Sequence, residues 1–183
     1  NAIEVMRGAE AVSKYIALPE QEAFNIEYWL LEEAKLKRMP PEKELSRRIA
    51  LLIGAGPGIG QEIAKRLLDQ GASVVVADLN DSLVSNATET LRATYGKELV
   101  HGSPINIIDR QSVQKAVEEA VKTFGGLDIL INIAAVFIPP SPEGKNTDEQ
   151  WVKSLEINVL GSNIVAEEAQ KVMAKQKTLS SIV

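Results

Sequence analysis

The chain has no cysteine and one histidine in 183 residues. Without cysteine it can form no disulfide, thiolate nucleophile or cysteine–metal site, and this composition is compatible with the cytosol. The single histidine, His101, argues against a zinc site or a histidine base, so we predict no metal. It lies in a strand-like segment, where we expect a surface or half-buried position.

Long apolar runs and an excess of positive charge are also missing. No run reaches the roughly 18 apolar residues that a membrane span needs, and the N-terminus shows no signal-peptide pattern. The net charge is −5, so the chain has no overall basic character of the kind that favours nucleic acid. We therefore predict a cytoplasmic protein with neither a membrane nor a nucleic acid as partner. The chain starts at Asn1 and stops within an apolar stretch, and we expect it to be part of a longer protein.

Residues 1–46 predict a helical extension and a linker. Charged and apolar residues alternate here without a strand-like run, which predicts a helix from Ala2 to about Ile16. Pro19 and Glu20 favour the start of a second helix, which we extend to about Arg38. The proline-containing segment "MPPEKELS", residues 39–46, then predicts a linker. We interpret 1–46 as the tail of a preceding domain.

Residues 47–183 alternate between apolar strand patterns and amphipathic helix patterns. Because the strands are continuously apolar, the pattern predicts an α/β fold with a Rossmann-like, doubly wound parallel sheet covered on both faces. We expect this sheet to be truncated after about the start of its fifth strand. The predicted strands are "RIALLIG", "SVVVAD", "LVHGSPIN", "LDILINIAAVF" and "SSIV". Asp109 would cap the helix from Gln111 to Phe124, and a long helix would run from Thr147 or Asp148 to about Lys175, bent near Gly161.

A glycine-rich turn joins the first strand of this region to its first helix. Glycines permit a sharp turn and a close approach of the backbone to phosphate, and the helix N-terminus offers free N–H groups to a pyrophosphate. The alternative is a tight strand–helix turn that binds no ligand. The residues predicted to bind the pyrophosphate are Gly54, Gly56, Gly58, Ile59 and Gly60.

An acid, Asp78, ends the second strand 18 residues after Gly60. A carboxylate at this position can accept hydrogen bonds from the adenosine ribose hydroxyls and would repel a 2′-phosphate. No basic residue follows directly in "DLND", so we predict NAD in preference to NADP, with Asp78 and Leu79 at the ribose. The alternative role of Asp78 is a solvated or capping residue after a strand.

The spacing Gly-x-x-x-Gly-Ile-Gly resembles that of the short-chain dehydrogenase/reductase family, and the resemblance covers about Ser46 to Val183. "NIID", "LDILINIAAV" and "EINVLGSNIVAEEA" follow in the order of the family's later motifs. The resemblance implies that Asn106 and Ile107 contact adenine and that Asn132 and Ala134 border the cofactor from the fourth strand. It also implies that Asn158 is the asparagine of the catalytic tetrad.

Several positions depart from the family pattern. Ile53 and Ile133 replace a threonine and an asparagine that brace one another in the family, so we expect side-chain packing there instead. Asn106 replaces the aspartate that contacts adenine, and its amide can both accept and donate a hydrogen bond.

The family's Tyr-x-x-x-Lys motif does not occur in the 183 residues. In the family this tyrosine exchanges the proton at the substrate oxygen, and the lysine lowers its pKa. Neither Ser180 nor Ser181 occupies the place of the family serine. We therefore assign only Asn158 to catalysis and predict that this chain alone is inactive. The three tyrosines and the residues four places later are Tyr15 and Pro19, Tyr28 and Glu32, and Tyr95 and Leu99.

The segment "LPEQEAFNIEYWLLEEAKLKRMPP" resembles the connector of bifunctional rhamnulose-1-phosphate aldolase/short-chain dehydrogenases. That resemblance implies a parent protein whose dehydrogenase part oxidises or reduces a small alcohol or aldehyde such as lactaldehyde. The alternatives are a generic helical extension and, for the chain as given, a noncatalytic nucleotide-binding or interaction module. We also expect a homo-oligomer, because the later strands and helices that would cover the sheet edge are missing from the sequence.

Overall fold

The computed structural model describes residues 2–12, 16, 18–27, 29–38, 41–176 and 179–183. The chain forms two compact units, Asn1–Glu42 and Lys43–Val183. The division falls within the segment 39–46 that the sequence marks as a linker, of which residues 39 and 40 lie outside the described part. In the described residues no helix is both long enough and apolar enough to cross a bilayer.

The first unit contains three helices, α1 (Ala2–Ala11), α2 (Glu20–Glu27) and α3 (Leu30–Arg38). The prediction of one helix up to Arg38 is wrong, because α2 ends at Glu27 and α3 begins only at Leu30. Trp29 between them is not helical, and its backbone N–H reaches the Ile26 carbonyl at 3.5 Å, which is a weak contact. Aromatic and β-branched residues lose side-chain freedom in a helix, which favours an interruption here.

The second unit is built on a parallel sheet with the strand order β3-β2-β1-β4-β5. This order and the helices between the strands confirm the predicted Rossmann-like α/β fold. The strands are β1 (Ile49–Ile53), β2 (Ser73–Asp78), β3 (Val100–Pro104), β4 (Ile129–Asn132) and β5 (Ser181–Ile182). The helices are α4 (Ile59–Asp69), α5 (Asp81–Tyr95), α6 (Arg110–Phe124), α7 (Asp148–Leu155) and α8 (Ser162–Met173), with a π-helical turn at Glu156–Gly161.

The sheet is buried on both faces because successive side chains of a strand point in opposite directions. Ala50 and Leu52 of β1 pack with buried residues of α4 and α5, whereas Leu51 and Ile53 pack with those of α6 and α8. Each face needs apolar side chains, so the central strands carry them at every position rather than at alternate ones.

Side-chain caps fix where the helices begin. Asn80 accepts hydrogen bonds from the N–H groups of Ser82 and Leu83 at the start of α5. Asp109 accepts one from the N–H of Gln111, which confirms the predicted cap of α6. Such caps satisfy N–H groups that have no partner within the helix. Because the helices begin at these caps, the connections after β2 and β3 are short. These connections carry polar residues of the cleft described below.

Two elements differ from the prediction. The fourth strand ends at Asn132 and not near Phe137, because side chains replace the strand ladder there: Asn132 Oδ1 accepts the Ala134 N–H at 3.3 Å. The predicted long helix is interrupted by the π-helical turn, where a bend near Gly161 was expected. A π-helical turn adds one residue to a helical turn, so it reorients the side chains within it.

Candidate functional site

A cleft of about 1000 Å³ lies at the carboxyl ends of the central strands. Ligands of open parallel sheets bind at this edge, where the strand order reverses direction. Here the reversal is between β1 and β4, because the chain builds β1 to β3 on one side and β4 and β5 on the other. The cleft is lined by residues 53–54, 56–60, 78–79, 105–108 and 133–136, and by Lys153 and Ile157.

The glycine turn forms one wall of this cleft. Gly54 and Gly58 have φ values of +105° and +104°, which residues with a side chain rarely adopt. A Cβ on Gly60 would lie 1.9 Å from the Gly54 carbonyl oxygen, so the first turn of α4 packs directly on the end of β1. No side chain caps α4 at Gly58, which leaves the first N–H groups of that helix available to an anion.

Asp78 and Leu79 form the next part of the lining, beside the glycine turn. The N–H of Gly54 donates to the carbonyl oxygen of Ala77 at 2.8 Å, which holds the end of β2 against the turn. The Asp78 carboxylate is half-buried, and its Oδ1 accepts the Asn80 N–H at 3.1 Å. Its second oxygen has no hydrogen-bond partner among the described residues and could accept from a ligand hydroxyl.

Asn106 and Ile107 follow β3 and also line the cleft. The N–H of Asn106 donates to Ser112 Oγ at 2.9 Å, so the first turn of α6 fixes its backbone. Ile107 is buried, and a Cβ on Gly161 would lie 2.8 Å from its Cγ1. The absence of a side chain at Gly161 therefore makes room for Ile107 as an apolar wall.

The family resemblance implies that both Asn132 and Ala134 border the cofactor from the fourth strand. In the structure the two residues have different surroundings. Ala134 lines the cleft together with its neighbours Ile133, Ala135 and Val136, whereas Asn132 is not among the lining residues. The Asn132 amide instead donates to Ser162 Oγ at 3.0 Å, so it links β4 to α8.

Asn158 lies in the π-helical turn behind the strand-four side of the cleft. Its Oδ1 accepts the Val136 N–H and its Nδ2 donates to the Val136 carbonyl, both at 2.8 Å. Its own carbonyl oxygen accepts a hydrogen bond from the Ser162 hydroxyl at 3.0 Å. Asn158 therefore fixes the backbone of the cleft wall with its side chain, while its carbonyl is oriented by Ser162. Sequence reasoning missed Ser162, since no local motif marks it.

The departures at Ile53 and Ile133 have a structural explanation. The Ile133 N–H donates to the Ile53 carbonyl oxygen at 2.9 Å. The two side chains pack on opposite faces of the sheet, Ile53 with the α6 and α8 side and Ile133 with the α4 and α5 side. The two residues are thus joined by their backbones and not by the side-chain packing that we expected.

Lys153 and Ile157 are lining residues that sequence reasoning missed. Their spacing of four residues places them on one side of the helix, which is the signal that could have identified them. Both also border a second hollow of about 460 Å³, whose lining includes three acids. Because Lys153 lines both the cleft and this hollow, it lies where the two adjoin. Asp78 lines only the cleft.

A buried carboxylate holds α8 against α6, the helix that follows the Asn106 side of the cleft. Glu168 is 4% exposed and accepts hydrogen bonds from Lys171, Arg110 and Gln114. The bond from Lys171, with those from Arg110 and Gln114, outweighs the effect of burial and lowers the pKa of Glu168 to about 2. Among the described residues, no cluster of three or more His, Asp or Glu side chains could hold a metal ion.

Two family models match the chain. The model described as short chain dehydrogenase matches residues 48–183. The model described as the second domain of class II aldolase matches residues 1–36. The first match covers the whole sheet and the cleft, and the second lies within the helical unit.

Relatives and a solved structure agree with the first match. The uncharacterized oxidoreductase YuxG of Bacillus subtilis (strain 168) is 37% identical over all of this chain, which covers 26% of that protein. An uncharacterized oxidoreductase of Staphylococcus aureus (strain USA300) is 31% identical over 73% of the chain, covering 56% of that protein. The crystal structure of gox2181 superposes with a TM-score of 0.69 and 30% identity over 75% of this chain and 52% of that one.

The chain thus spans about a quarter of the first relative and about half of the second. The strand order, the glycine turn at the carboxyl edge of the sheet and the match over residues 48–183 agree with one another. The chain belongs to the short-chain dehydrogenase family.

Proposed function

We propose that the second unit binds NAD in the cleft and is the cofactor-binding part of an oxidoreductase that acts on a small alcohol or aldehyde. The single observation that supports this most is the cleft itself. It joins a glycine turn, an acid and an apolar wall at the carboxyl ends of three adjacent strands. Short-chain dehydrogenases use a nicotinamide cofactor, and this arrangement offers a place for each part of one.

The residues present fit a dinucleotide. A Cβ on Gly58 would meet no atom within 4 Å, and one on Gly56 only Leu83 at 3.7 Å, so the space above the turn is open to phosphate. The free N–H groups of α4 would bind the pyrophosphate, and Asp78 would accept hydrogen bonds from the ribose. NAD would supply the hydride acceptor, while these residues hold and orient it.

The same geometry supports NAD over NADP. The Asp78 carboxylate lines the cleft next to the glycine turn, where a 2′-phosphate would add a second negative charge. The only basic side chain of the described lining, Lys153, lies where the cleft adjoins the second hollow. A 2′-phosphate beside Asp78 would therefore be repelled without a neighbouring cation to compensate.

For the parent protein we propose a bifunctional aldolase and dehydrogenase. The aldolase match at residues 1–36 and the length of YuxG support this assignment. The resemblance to rhamnulose-1-phosphate aldolase/short-chain dehydrogenases suggests that the dehydrogenase part acts on the lactaldehyde that the aldolase part releases. The lack of cysteine in these 183 residues is compatible with the cytoplasmic location that we propose.

A second candidate function is a noncatalytic nucleotide-binding module. The observation that favours it is the absence of Tyr-x-x-x-Lys from the 183 residues. Both candidates predict that NAD binds to this chain and that the chain alone does not oxidise alcohols. They differ in the parent protein, where only an enzyme would show NAD-dependent turnover of small alcohols.

The proposal is tested by calorimetric titration of the 183-residue chain with NAD and with NADP. We expect NAD to bind more tightly, and we expect Asp78→Asn to reduce the ratio of the two affinities by about tenfold, equivalent to ~1.4 kcal/mol. Glu118→Gln removes a charge from an exposed helix position and is the matched control.

Three results would contradict the proposal. If neither dinucleotide binds, the cleft is not a cofactor site. If NADP binds more tightly than NAD, the role assigned to Asp78 is wrong. Turnover of an alcohol by this chain alone would contradict the prediction that it is inactive by itself.

A further inference from the structure

The glycine turn between β1 and α4 has few side chains with which to pack. Glycine has more backbone conformations available to it than any other residue, so ordering a turn of this composition costs more conformational entropy. The turn must therefore be held by the segments around it. Its glycines are Gly54, Gly56, Gly58 and Gly60.

Two contacts hold the beginning of the turn. The N–H groups of Gly54 and Ala55 donate to the carbonyl oxygen of Ala77 at 2.8 and 3.1 Å, which ties the turn to the end of β2. The side chain of Ala55 is buried among residues of β1, β2 and α4. Both contacts act on the first two residues of the turn and not on the start of α4.

The side chain of Ile133 contacts the turn from the opposite side, after β4. A Cβ on Gly54 would lie 2.7 Å from Ile133 Cγ1, and a Cβ on Gly60 would lie 3.3 Å from Ile133 Cδ1. One side chain therefore packs against the beginning of the turn and against the first turn of α4. Ile133 also packs with the core cluster on the α4 and α5 face of the sheet.

The backbone from which this side chain projects is fixed by hydrogen bonds. The Ile133 N–H donates to the Ile53 carbonyl oxygen at 2.9 Å. The N–H of the next residue, Ala134, donates to Asn132 Oδ1 at 3.3 Å. A side chain held in this way restricts the positions that the glycine turn can take.

A binding site gains affinity when its donors are in place before the ligand arrives, because binding then does not have to supply the cost of ordering them. The donors here are the first N–H groups of α4, which no side chain caps. We propose that Ile133 is a positioning residue for the phosphates of a bound dinucleotide, because it holds the glycine turn in the conformation that presents these donors. This inference rests on the proposed function and adds a residue that acts through the turn.

Three variants test this role. Ile133→Ala removes both contacts and should weaken NAD binding by roughly threefold to tenfold, because the turn then adopts its binding conformation only part of the time. Ile133→Val keeps a carbon at the Cγ1 position and lacks Cδ1, so its loss of affinity should be intermediate. Ile131→Ala is the matched control, because Ile131 packs on the same core cluster but is not among the atoms nearest the four glycines. It should lower stability and leave NAD affinity unchanged.

Two measurements distinguish positioning from a general loss of stability. Titrations followed by NMR compare NAD with adenosine, which has no phosphate and should bind all variants with wild-type affinity. Amide hydrogen exchange measures the turn without any ligand. The N–H groups of Gly54 and Ala55, and that of Glu62, which donates to the Gly58 carbonyl at 3.1 Å, should exchange about tenfold faster in Ile133→Ala than in Ile131→Ala.

The outcomes separate this inference from the proposed function. If NAD binds the wild type but Ile133→Ala and Ile131→Ala have the same NAD affinity or the same exchange rates in the turn, the inference is overturned while the cofactor site stands. An equal loss of NAD and adenosine affinity in Ile133→Ala also overturns it. If the wild type binds no dinucleotide, both fail. Should Ile133→Ala not fold, as judged by circular dichroism, the comparison of Ile133→Val with the wild type decides in the same way.

Discussion

Glu168 is the residue whose replacement gives the sharpest test of the structure. Its side chain lies between α8 and α6 and is 4% exposed. Oε1 accepts hydrogen bonds from Arg110 and, at 2.7 Å, from Lys171, while Oε2 accepts one from Gln114 at 3.2 Å. A buried carboxylate with this set of donors is stable only in its charged form.

The pKa of Glu168 gives the magnitude. The bond from Lys171, followed by those from Arg110 and Gln114, lowers this pKa from 4.5 to about 2 against the opposing effect of burial. The difference between these two pKa values corresponds to at most ~3 kcal/mol of stability at neutral pH. Because the folded pKa lies below the unfolded one, this stability is present above pH 4.5 and is lost as the pH falls towards 2.

Glu168→Gln keeps the shape of the side chain and removes its charge. We expect it to lower the free energy of unfolding by about 2–3 kcal/mol at pH 7. The difference from the wild type should fall to about half of this at pH 3 and nearly vanish at pH 2. Urea denaturation, followed by circular dichroism at each pH, measures both quantities.

Glu167→Gln is the matched control, because Glu167 also pairs with Arg110 but its side chain is 47% exposed. Solvent screens such a pair, so the control should change stability little and show no comparable dependence on pH. Two results would refute the reasoning: equal stability of Glu168→Gln and the wild type at pH 7, or a loss that stays constant down to pH 2. The latter would indicate a packing defect.

Three further predictions concern the cleft and the surface. Gly60→Ala places a Cβ 1.9 Å from the Gly54 carbonyl oxygen, so denaturation should show a loss of about 2 kcal/mol or more, and calorimetry no NAD binding. Asn158→Ala removes two hydrogen bonds to the Val136 backbone and should cost about 1–3 kcal/mol in the same denaturation assay; an unchanged midpoint would contradict their role. We also propose that the protein self-associates through the apolar side of α7, where Trp151, Val152 and Leu155 are 57%, 64% and 55% exposed. Trp151→Glu should therefore shift sedimentation towards monomer, and a wild-type monomer at all concentrations would exclude this.

The glycine turn and the acid that ends β2 could be located from the sequence because their function depends on local chemistry. A turn that needs positive φ at Gly54 and Gly58 leaves its mark directly in the residue type. Asp78 follows a run of β-branched residues, so its place at a strand end is also a local property. The same is true of Asp109, whose capping role the structure confirms.

The helical interruptions could not be predicted in the same way. The π-helical turn at Glu156–Gly161 places the Asn158 amide on the backbone of Val136, 22 residues earlier in the chain. Residues 133–137 were predicted to continue the fourth strand because they are apolar. The backbone of Val136 instead binds the side chain of Asn158, which comes from a distant position, and a local pattern does not contain that partner.

The sequence by itself determined the class of the fold, because burying a sheet on both faces requires continuous apolar strands between amphipathic helices. It also determined the glycine turn between β1 and α4, because positive φ values leave their mark in the residue type. Only the tertiary structure decided that Asn132 braces α8 while Ala134 lines the cleft, and that Asn158 holds the backbone of Val136. The physical reason is that hydrogen-bond partners and buried contacts are fixed by the packing of segments far apart in the chain, whereas turns, caps and strand patterns depend on neighbouring residues.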